Sequence, residues 1–418
     1  MSQVTALSVW DVLRIRNFRL LWLGQVISDF GDSLTMVALL ILVNRLTGST
    51  AAMAAMAIVL AVPQVTLGLI AGVYVDRLDR KRIMIVSDLL RGIMVLGFTL
   101  VASPERLWLL YVIGFIQASI GTFFTPARSA LIPTLVPREG LMAANSLAQT
   151  SRVIMGVIGV SAGALLIGTL DVFWPLFVAD ALTFFISMLL IAGIVAPAHP
   201  TAAPGSVRAI FSELLSGVKV IFTTRVLFGT LVGAGITMLG MGAVNVLLIP
   251  FTLNDLLVSE TWLGALEFAQ TLSMILAGSL MAALASRIKP THVLSLGMIL
   301  LGLLTGLFAV SGNVWHILFI LFGMGWLVTP IHASISTLMQ TNTPDELRGR
   351  AGAALSMMAA TTNLLSMAFA GLFGELVGIR TVFVLSGVIV VLAGLASAWV
   401  FAGGAQASPT LQPKSEAG

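Results

Sequence analysis

The feature of this sequence that most limits its fold is a succession of long apolar segments joined by short polar ones. A helix needs about 20 apolar residues to cross the hydrocarbon core of a bilayer. Twelve segments meet that length: 18–44, 51–75, 83–102, 107–126, 141–168, 173–195, 226–252, 261–284, 291–311, 315–338, 351–377 and 381–403. Lipid offers no hydrogen bonds to the backbone, so spanning segments of this kind are helical. The sequence therefore predicts an all-α integral membrane protein with twelve transmembrane helices.

The composition excludes most classes of soluble protein. Only 10% of the 418 residues are charged, whereas about 25% are charged in a typical soluble protein. The chain has no cysteine, which excludes disulfides and thiol catalysis. Its four histidines lack the spacing of metal ligands, and no glycine-rich phosphate-binding motif is present. We therefore expect no enzyme activity, no metal, no cofactor and no nucleic-acid partner.

The positive charges indicate how the chain is oriented. When the N-terminus is placed in the cytoplasm, seventeen of the 22 lysines and arginines fall in cytoplasmic segments. Only Arg45, Arg106 and Arg380 fall outside. Cytoplasmic loops of membrane proteins carry such an excess of positive charge. Both termini are therefore expected in the cytoplasm, with the first apolar segment retained as a helix.

A break after the sixth segment divides the chain. Its residues APAHPTAAPGSVR are rich in proline, alanine and glycine, and the next sixteen alternate apolar pairs with polar residues at helical spacing. The pattern predicts an N-terminal six-helix bundle at 1–195 and a cytoplasmic linker with an amphipathic helix at 196–225. A C-terminal six-helix bundle at 226–403 and a cytoplasmic tail at 404–418 follow.

The two halves repeat each other. The pattern Gly-x3-Gly-x3-Asp-Arg at 68–77 is matched by Gly-x3-Ala-x3-Ser-Arg at 278–287, an offset of 210 residues. GTFFTP at 121–126 is matched by GWLVTP at 325–330, an offset of 204. These matches indicate a parallel duplication, and internal repeats are typical of secondary transporters.

A basic hairpin joins the second and third segments. Gly68 and Gly72 lie one helical turn apart, so two backbones can approach closely there. The acid Asp76 can accept hydrogen bonds at the N-terminus of a neighbouring helix, where the helix dipole favours an anion. We group the residues that follow this pattern as the gate motif: Gly72, Asp76, Arg77, Arg80, Lys81 and Arg82. The alternative is a simple topology anchor, which accounts for the cations but not for Asp76.

Residues 72–82, GVYVDRLDRKR, resemble the loop motif Gly-x3-Asp-Arg-x-Gly-Arg-Lys/Arg of the major facilitator superfamily, with Asp79 in place of the usual glycine. Five further segments are similar to the macrolide-efflux and siderophore-export group of drug:proton antiporters: 28–35, 87–92, 125–147, 177–185 and 341–353. The resemblance implies two pseudo-symmetric six-helix bundles in a bacterial inner (plasma) membrane. It also implies that the neighbour of Asp76 is span eleven, near 350–353.

The same resemblance implies proton-coupled efflux of amphipathic small molecules (a drug, macrolide or siderophore) by alternating access. The expected partners are a small-molecule substrate, protons and the lipid bilayer, with the protein a monomer. Gln117 stands where many superfamily exporters have an arginine in span four, so that arginine is not available for proton coupling. Alternatives on the same fold are a lipid or lysophospholipid translocator and a metabolite importer. A membrane enzyme or receptor is disfavoured because no nucleophile–base pair is present.

Acids within the spans are the first candidates for coupling protons or substrate, because a buried ionisable group in a membrane is costly. Asp29 and Asp32 lie three residues apart on one face of span one. Glu267 lies about two turns into span eight. The apolar surroundings favour the protonated form of a carboxyl group, which suits a proton carrier. The alternatives are a structural hydrogen bond for the aspartates and a glutamate that reaches the outer vestibule.

Other polar residues complete the candidate set. Arg152 in span five either neutralises a membrane acid or binds an anionic substrate, and Asp180 in span six is a further coupling candidate with a structural alternative. Asp88 and Arg91, one turn apart in span three, are expected to pair with each other or with the hairpin. The predicted cavity-lining residues, for which ordinary packing is the alternative, are Gln25, Trp22, Phe30, Asn245, Gln270, Asn363 and Trp326.

Overall fold

Twelve long helices make up nearly all of the part of the chain that the structure describes. The computed structural model describes residues 7–75, 77–101, 103–195, 225–284, 289–343 and 347–404, and these contain no strand. After a short N-terminal helix, Val9–Arg14, the long helices are α1 (Arg16–Thr47), α2 (Thr50–Val75), α3 (Arg80–Leu96), α4 (Leu107–Leu135), α5 (Leu141–Leu170), α6 (Trp174–Ala192), α7 (Arg225–Pro250), α8 (Trp262–Leu284), α9 (Pro290–Leu307), α10 (Val314–Asn342), α11 (Arg348–Val377) and α12 (Ile379–Gly404). Each is long and apolar enough to cross a membrane, which confirms the predicted twelve-helix membrane fold.

The helix ends follow local chemistry. Asp79 precedes α3, and its carboxylate accepts hydrogen bonds from the backbone amides of Lys81 and Arg82 at 2.9 and 3.2 Å. Such a cap satisfies amides that have no partner within the helix. At the other ends, Gly48 terminates α1 with φ of 61° and Gly378 follows α11 with φ of 85°. Glycine adopts positive φ without steric cost, so the chain reverses there with short connections.

Two helices continue past prolines within them, and one of the two was expected to end at its proline. Span four was predicted to end at Pro126, but α4 contains both Pro126 and Pro133 and runs to Leu135. Likewise α10 contains Pro330 and runs to Asn342. Proline is tolerated within membrane helices because neighbouring helices and side chains compensate for the lost hydrogen bond. The predicted end of span four is therefore wrong, and Arg128 lies in a helix rather than in a loop.

The helices form two halves, α1–α6 and α7–α12. We call the face of the bundle at which α1 begins the terminal face, and the face at which α1 ends the distal face. The halves pack against each other mainly through α2 with α11 and through α5 with α8. A Cβ atom added at Gly374 would lie 2.8 Å from Thr50 Oγ1, and one at Gly264 would lie 2.5 Å from Ser161 Cα. Both of these close crossings lie in the distal part of the bundle.

The terminal part of the same interface is open. A Cβ atom added at Gly72 on α2, or at Gly352 on α11, meets no atom of a described residue within 4 Å. The close backbone approach expected at Gly68 and Gly72 is therefore absent from this conformation. The linker and tail were predicted at 196–225 and 404–418, and apart from residues 225 and 404 they lie, like Asp76, outside the described part of the chain.

Candidate functional site

A cavity of about 540 Å³ lies between the two halves. Its walls come from α1, α2 and α5 on one side and from α7, α8, α10 and α11 on the other. Most of the lining is aliphatic, as at Met36, Leu40 and Leu60. Its polar lining groups come from three residues predicted from the sequence: Asn245, Glu267 and Gln270. The C-terminal half therefore supplies the polar chemistry of the cavity, and the N-terminal half supplies mainly apolar surface.

Glu267 is the charged group of this cavity. No hydrogen bond or ion pair joins it to any described residue, and it is partly buried. Gln270 lies three residues further along α8, on the same face of the helix. A carboxyl group without a protein partner in an apolar cavity can receive a proton or a cationic group of a ligand. The geometry thus gives α8 one side chain able to exchange a proton for a cation.

Two asparagines join the halves directly at the distal face. Asn44 Nδ2 donates to Asn254 Oδ1 at 3.0 Å, and Asn254 Nδ2 donates to Asn44 Oδ1 at 3.0 Å. They are 210 residues apart, the offset that relates the two copies of the hairpin pattern. They are therefore equivalent positions of the repeat, and they meet at its pseudo-two-fold axis. The repeat offset was the sequence signal that could have identified this contact.

Arg45 also joins the two halves at the distal face. Its guanidinium donates to Glu260 of the other half through Nε at 3.1 Å and Nη2 at 2.9 Å, and it also pairs with Asp171 of its own half. Nearby, Thr50 Oγ1 donates to the backbone oxygen of Gly371 at 2.9 Å. Every hydrogen bond found between described residues of the two halves lies in this distal region. From the sequence, Arg45 was expected in an outer loop, and no pattern pointed to its partner.

Removal of the asparagine pair is expected to loosen the distal face. Asn44→Ala or Asn254→Ala leaves the other amide without its partner, whereas the double variant removes both. We expect each single variant to cost about 1 kcal/mol of unfolding free energy in detergent, and the double variant to cost less than the sum of the two. A double-mutant cycle measures the difference, and strictly additive costs would contradict direct coupling.

A second group of polar residues lies within the N-terminal half. Arg128 Nη1 donates to Gln25 Oε1 at 3.1 Å, and Trp22 Nε1 donates to Ser151 Oγ at 3.0 Å. These four residues and Asp29 line one narrow crevice. Asp29 interacts electrostatically with Arg128 and with the exposed Arg152. Arg128 was not among the predicted residues, because span four was expected to end at Pro126.

Asp32 and Arg91 form an ion pair between α1 and α3. Arg91 Nη2 lies 2.5 Å from Asp32 Oδ1, and the guanidinium carbon lies 4.2 Å from the centre of the Phe184 ring. Arg91 was expected to pair with Asp88 or with the hairpin, but its ion pair is made with Asp32 instead. Asp180 is fully buried beside these groups, and its Oδ1 accepts a hydrogen bond from Thr183 Oγ1 at 3.2 Å.

The remaining candidates are dispersed. Asn363 lines another cavity of about 190 Å³ together with His332 and Asn245. Phe30 packs against the apolar core. Trp326 stacks on Phe322 with ring centres 6.4 Å apart. The structure thus brings three of the predicted residues into the central cavity and three into the N-terminal crevice, and it places these others elsewhere.

A comparison with family models identifies the fold. The model described as "Major Facilitator Superfamily" matches residues 21–238 and 230–417, so its two matches together cover nearly the whole chain. The chain belongs to the major facilitator superfamily. As a superfamily member it is a multi-pass membrane transporter and not an enzyme, which confirms both expectations.

Relatives of this superfamily member include two exporters. It is 24% identical over 385 residues to the macrolide efflux protein A of Streptococcus pyogenes, covering 90% of this chain and 93% of that protein. It is 26% identical over 366 residues to the enterobactin exporter EntS of Escherichia coli O6:K15:H31, covering 86% and 85%. A solved structure of a bacterial homologue of the iron transporter ferroportin, in an inward-facing state, matches with a TM-score of 0.76 at 14% identity, covering 93% and 99%. That last likeness supports the superfamily fold alone.

The superfamily loop motif is held within the N-terminal half. Arg80 Nη1 donates to the backbone oxygen of Ala130 on α4 at 2.9 Å, and Lys81 Nζ donates to that of Ile194 at 2.7 Å. Asp79, which departs from the superfamily pattern, caps α3. The predicted latch between Asp76 and α11 remains a prediction, because Asp76 is outside the described residues.

Proposed function

We propose that this transporter exports amphipathic small molecules, of drug, macrolide or siderophore type, from the bacterial cytoplasm across the inner membrane in exchange for protons. The observation that carries the proposal is the central cavity, whose mainly aliphatic walls surround one carboxyl group that has no partner among the described residues. Its volume of about 540 Å³ lies within the roughly 300–1,000 Å³ that is usual for small-molecule sites. The efflux functions of the two named relatives support the same conclusion.

The coupling follows from the position of Glu267. The carboxylate can bind either a proton or the cationic group of a substrate, but not both at once, so the proton and the substrate compete. Asn245 and Gln270 offer hydrogen bonds that orient the polar part of a bound molecule, while the aliphatic walls bind its apolar part. Competition at one group is sufficient to exchange an inward proton for an outward substrate when access alternates between the two faces.

The described conformation would receive substrate from the cytoplasm. Its halves are joined at the distal face and separated along the terminal parts of α2 and α11. The distribution of positive charge assigns the terminal face to the cytoplasm. We propose that Asp76 and the gate motif stabilise the opposite, outward-facing conformation.

Glu267→Gln is the direct test of this function. Liposomes that contain the purified protein and carry an imposed pH gradient are expected to accumulate a cationic amphipathic dye against its concentration gradient. In the variant, the rate of dye transport driven by the pH gradient is expected to fall at least about tenfold, because an amide cannot exchange a proton for a cation. Glu105→Gln, on the distal surface away from the cavity, is the matched control and should transport at the original rate.

Two outcomes would overturn the proposal. One is gradient-driven export by Glu267→Gln at the original rate, which would remove the coupling role of this carboxyl group. The other is a failure of the original protein to move any cationic or neutral amphipathic dye while it moves a fluorescent lysophospholipid or takes up a polar metabolite. That result would assign the fold to one of the alternative cargoes.

A further inference from the structure

A cluster of buried acids lies beside the central cavity but is not part of its lining. Asp32 on α1, Asp88 on α3 and Asp180 on α6 all interact electrostatically with the guanidinium of Arg91. Asp88 and Asp180 are each 0% exposed. Gly31 allows this packing, because a Cβ atom there would clash with Asp180 and Thr183. Three carboxyl groups therefore share one described cation within the N-terminal half.

The hydrogen bonds show which acid Arg91 neutralises. Arg91 is committed to Asp32 at 2.5 Å. Neither side-chain oxygen of Asp88 has a hydrogen-bond partner of normal geometry, and the nearby Ser187 hydroxyl is likewise unsatisfied. The Oδ2 atom of Asp180 and the nearby Thr35 hydroxyl likewise have no partner of normal geometry among the described residues. An ionised carboxylate buried in this way would cost several kcal/mol, so the group binds a proton instead.

Other charges from the surrounding helices do not change this balance. Asp29 on α1 adds a further negative charge that acts on Asp32. Arg128 on α4 and Arg152 on α5 offset Asp29, and they act on it rather than on the two fully buried acids. Among the described residues, Arg128 and Arg152 thus offset Asp29, and Arg91 pairs with Asp32. No described cation is left to pair with Asp88 or Asp180 alone.

We propose that Asp88 and Asp180 form a proton-binding site, separate from the substrate cavity, in which each carboxyl group holds one proton while Arg91 is paired with Asp32. Asp32 is the most accessible member of the cluster, with 37% of its side chain exposed. It also lies four residues, about one helical turn, before Met36 in the cavity wall. Movement of α1 is thereby able to change the ion pair and the cavity together.

Release of the protons follows from the same arrangement. If α1 moves and the pair with Asp32 opens, the guanidinium of Arg91 approaches Asp88, which lies three residues away on the same helix face. The nearby cation favours the ionised carboxylate, so the O–H bond breaks and the proton passes toward water by way of Asp32. The role of this site in transport rests on the proposed function, whereas its protonation is measurable without any substrate.

Infrared spectroscopy of the purified full-length protein tests the site. The C=O stretching band of protonated carboxylic acids is expected at neutral pH, with a shift in D₂O. Asp88→Asn and Asp180→Asn should each remove part of the band, and Glu267→Gln identifies any share from the cavity. Glu105→Gln should leave the band unchanged, because that side chain is exposed at the distal surface.

The outcomes separate this inference from the proposed function. Absence of the band in the original protein at neutral pH, or its full retention in both aspartate variants, would overturn the inference. If either aspartate variant fails to fold, the Glu267→Gln protein still decides, because its band contains no share from the cavity and a fully ionised cluster gives no band. In a further outcome, the aspartate variants lose the band as expected while the original protein transports without needing a pH gradient. That result would refute proton coupling but would leave the proton-binding site in place.

Discussion

Replacement of Gly72 by leucine is expected to hold the protein in the conformation with a closed distal face and to abolish transport. Gly72 lies 18 residues after Ala54, which packs against Gly371 of α11 at the distal face. Eighteen residues make five helical turns, so Gly72 points in the same direction, toward the terminal part of α11. Nothing described fills that space now, and the leucine would fit without strain.

The opposite conformation does not have this room. When the terminal face closes, α2 and α11 must approach each other there as they now do at the distal face. A leucine at such a crossing costs about 3 kcal/mol or more, which shifts the equilibrium between the two conformations by about 100-fold. Transport requires both conformations, so its rate should fall by a similar factor.

The chain is well suited to this measurement because it contains no cysteine. A single cysteine at Met36, in the cavity wall, should react with a membrane-impermeant maleimide from the distal face only while that face is open. We expect Gly72→Leu to suppress both this labelling and dye export. Gly306→Leu is the matched control, since its Cβ also meets open space but lies on α9, away from the interface between the halves. Labelling of Gly72→Leu at the original rate would contradict the expected closure.

Arg91→Met is expected to destabilise the N-terminal half, because it removes the cation that three helices surround. The substitution removes the cation–π contact with Phe184 and leaves Asp32 without its ion-pair partner, while methionine fills similar space with an apolar side chain. Breaking a buried ion pair from one side costs about 3–5 kcal/mol. We expect about 2 kcal/mol, because 37% of the Asp32 side chain is exposed and water screens part of the charge.

The double variant Asp32→Asn with Arg91→Met separates charge from packing. It should recover most of the lost stability, because no unpaired ion then remains at that contact. Unfolding of the purified variants in detergent provides the measurement. Arg138→Met is the control, since Arg138 is exposed and its loss should change the free energy of unfolding by no more than about 0.5 kcal/mol. Equal stability of Arg91→Met and the original protein would show that the pair is not stabilising.

The fold was predictable because lipid leaves the chain few alternatives. Apolar length alone located all twelve helices, since a segment in a membrane must satisfy its own backbone. The error at Pro126 has a physical cause: proline ends helices in water far more effectively than in a packed membrane bundle. That error displaced Arg128 from the N-terminal crevice into a loop.

The interface between the halves was mostly not predictable from local patterns. Arg45 and Glu260 are 215 residues apart, and neither belongs to a motif. The pairing of Arg91 with Asp32 rather than with its near neighbour Asp88 depends on how three helices pack. Asn245, Glu267 and Gln270 line one cavity because of their depth along their helices and the helix face on which they lie, and the helical period supplies both. Their roles in transport remain predictions.

The asparagine pair at the distal face has a consequence for how a duplicated chain is able to diverge. A residue on the symmetry axis touches its own copy, so its side chain must be complementary to itself, and an amide meets that condition because it both donates and accepts. One residue further along, the copy of Arg45 at the same offset of 210 is Asp255, with the opposite charge. Positions off the axis are free of the self-matching condition, and there the two descendants of one ancestral segment have become different. The asparagine pair therefore keeps the two halves alike at the axis, whereas the charges that distinguish them lie around it.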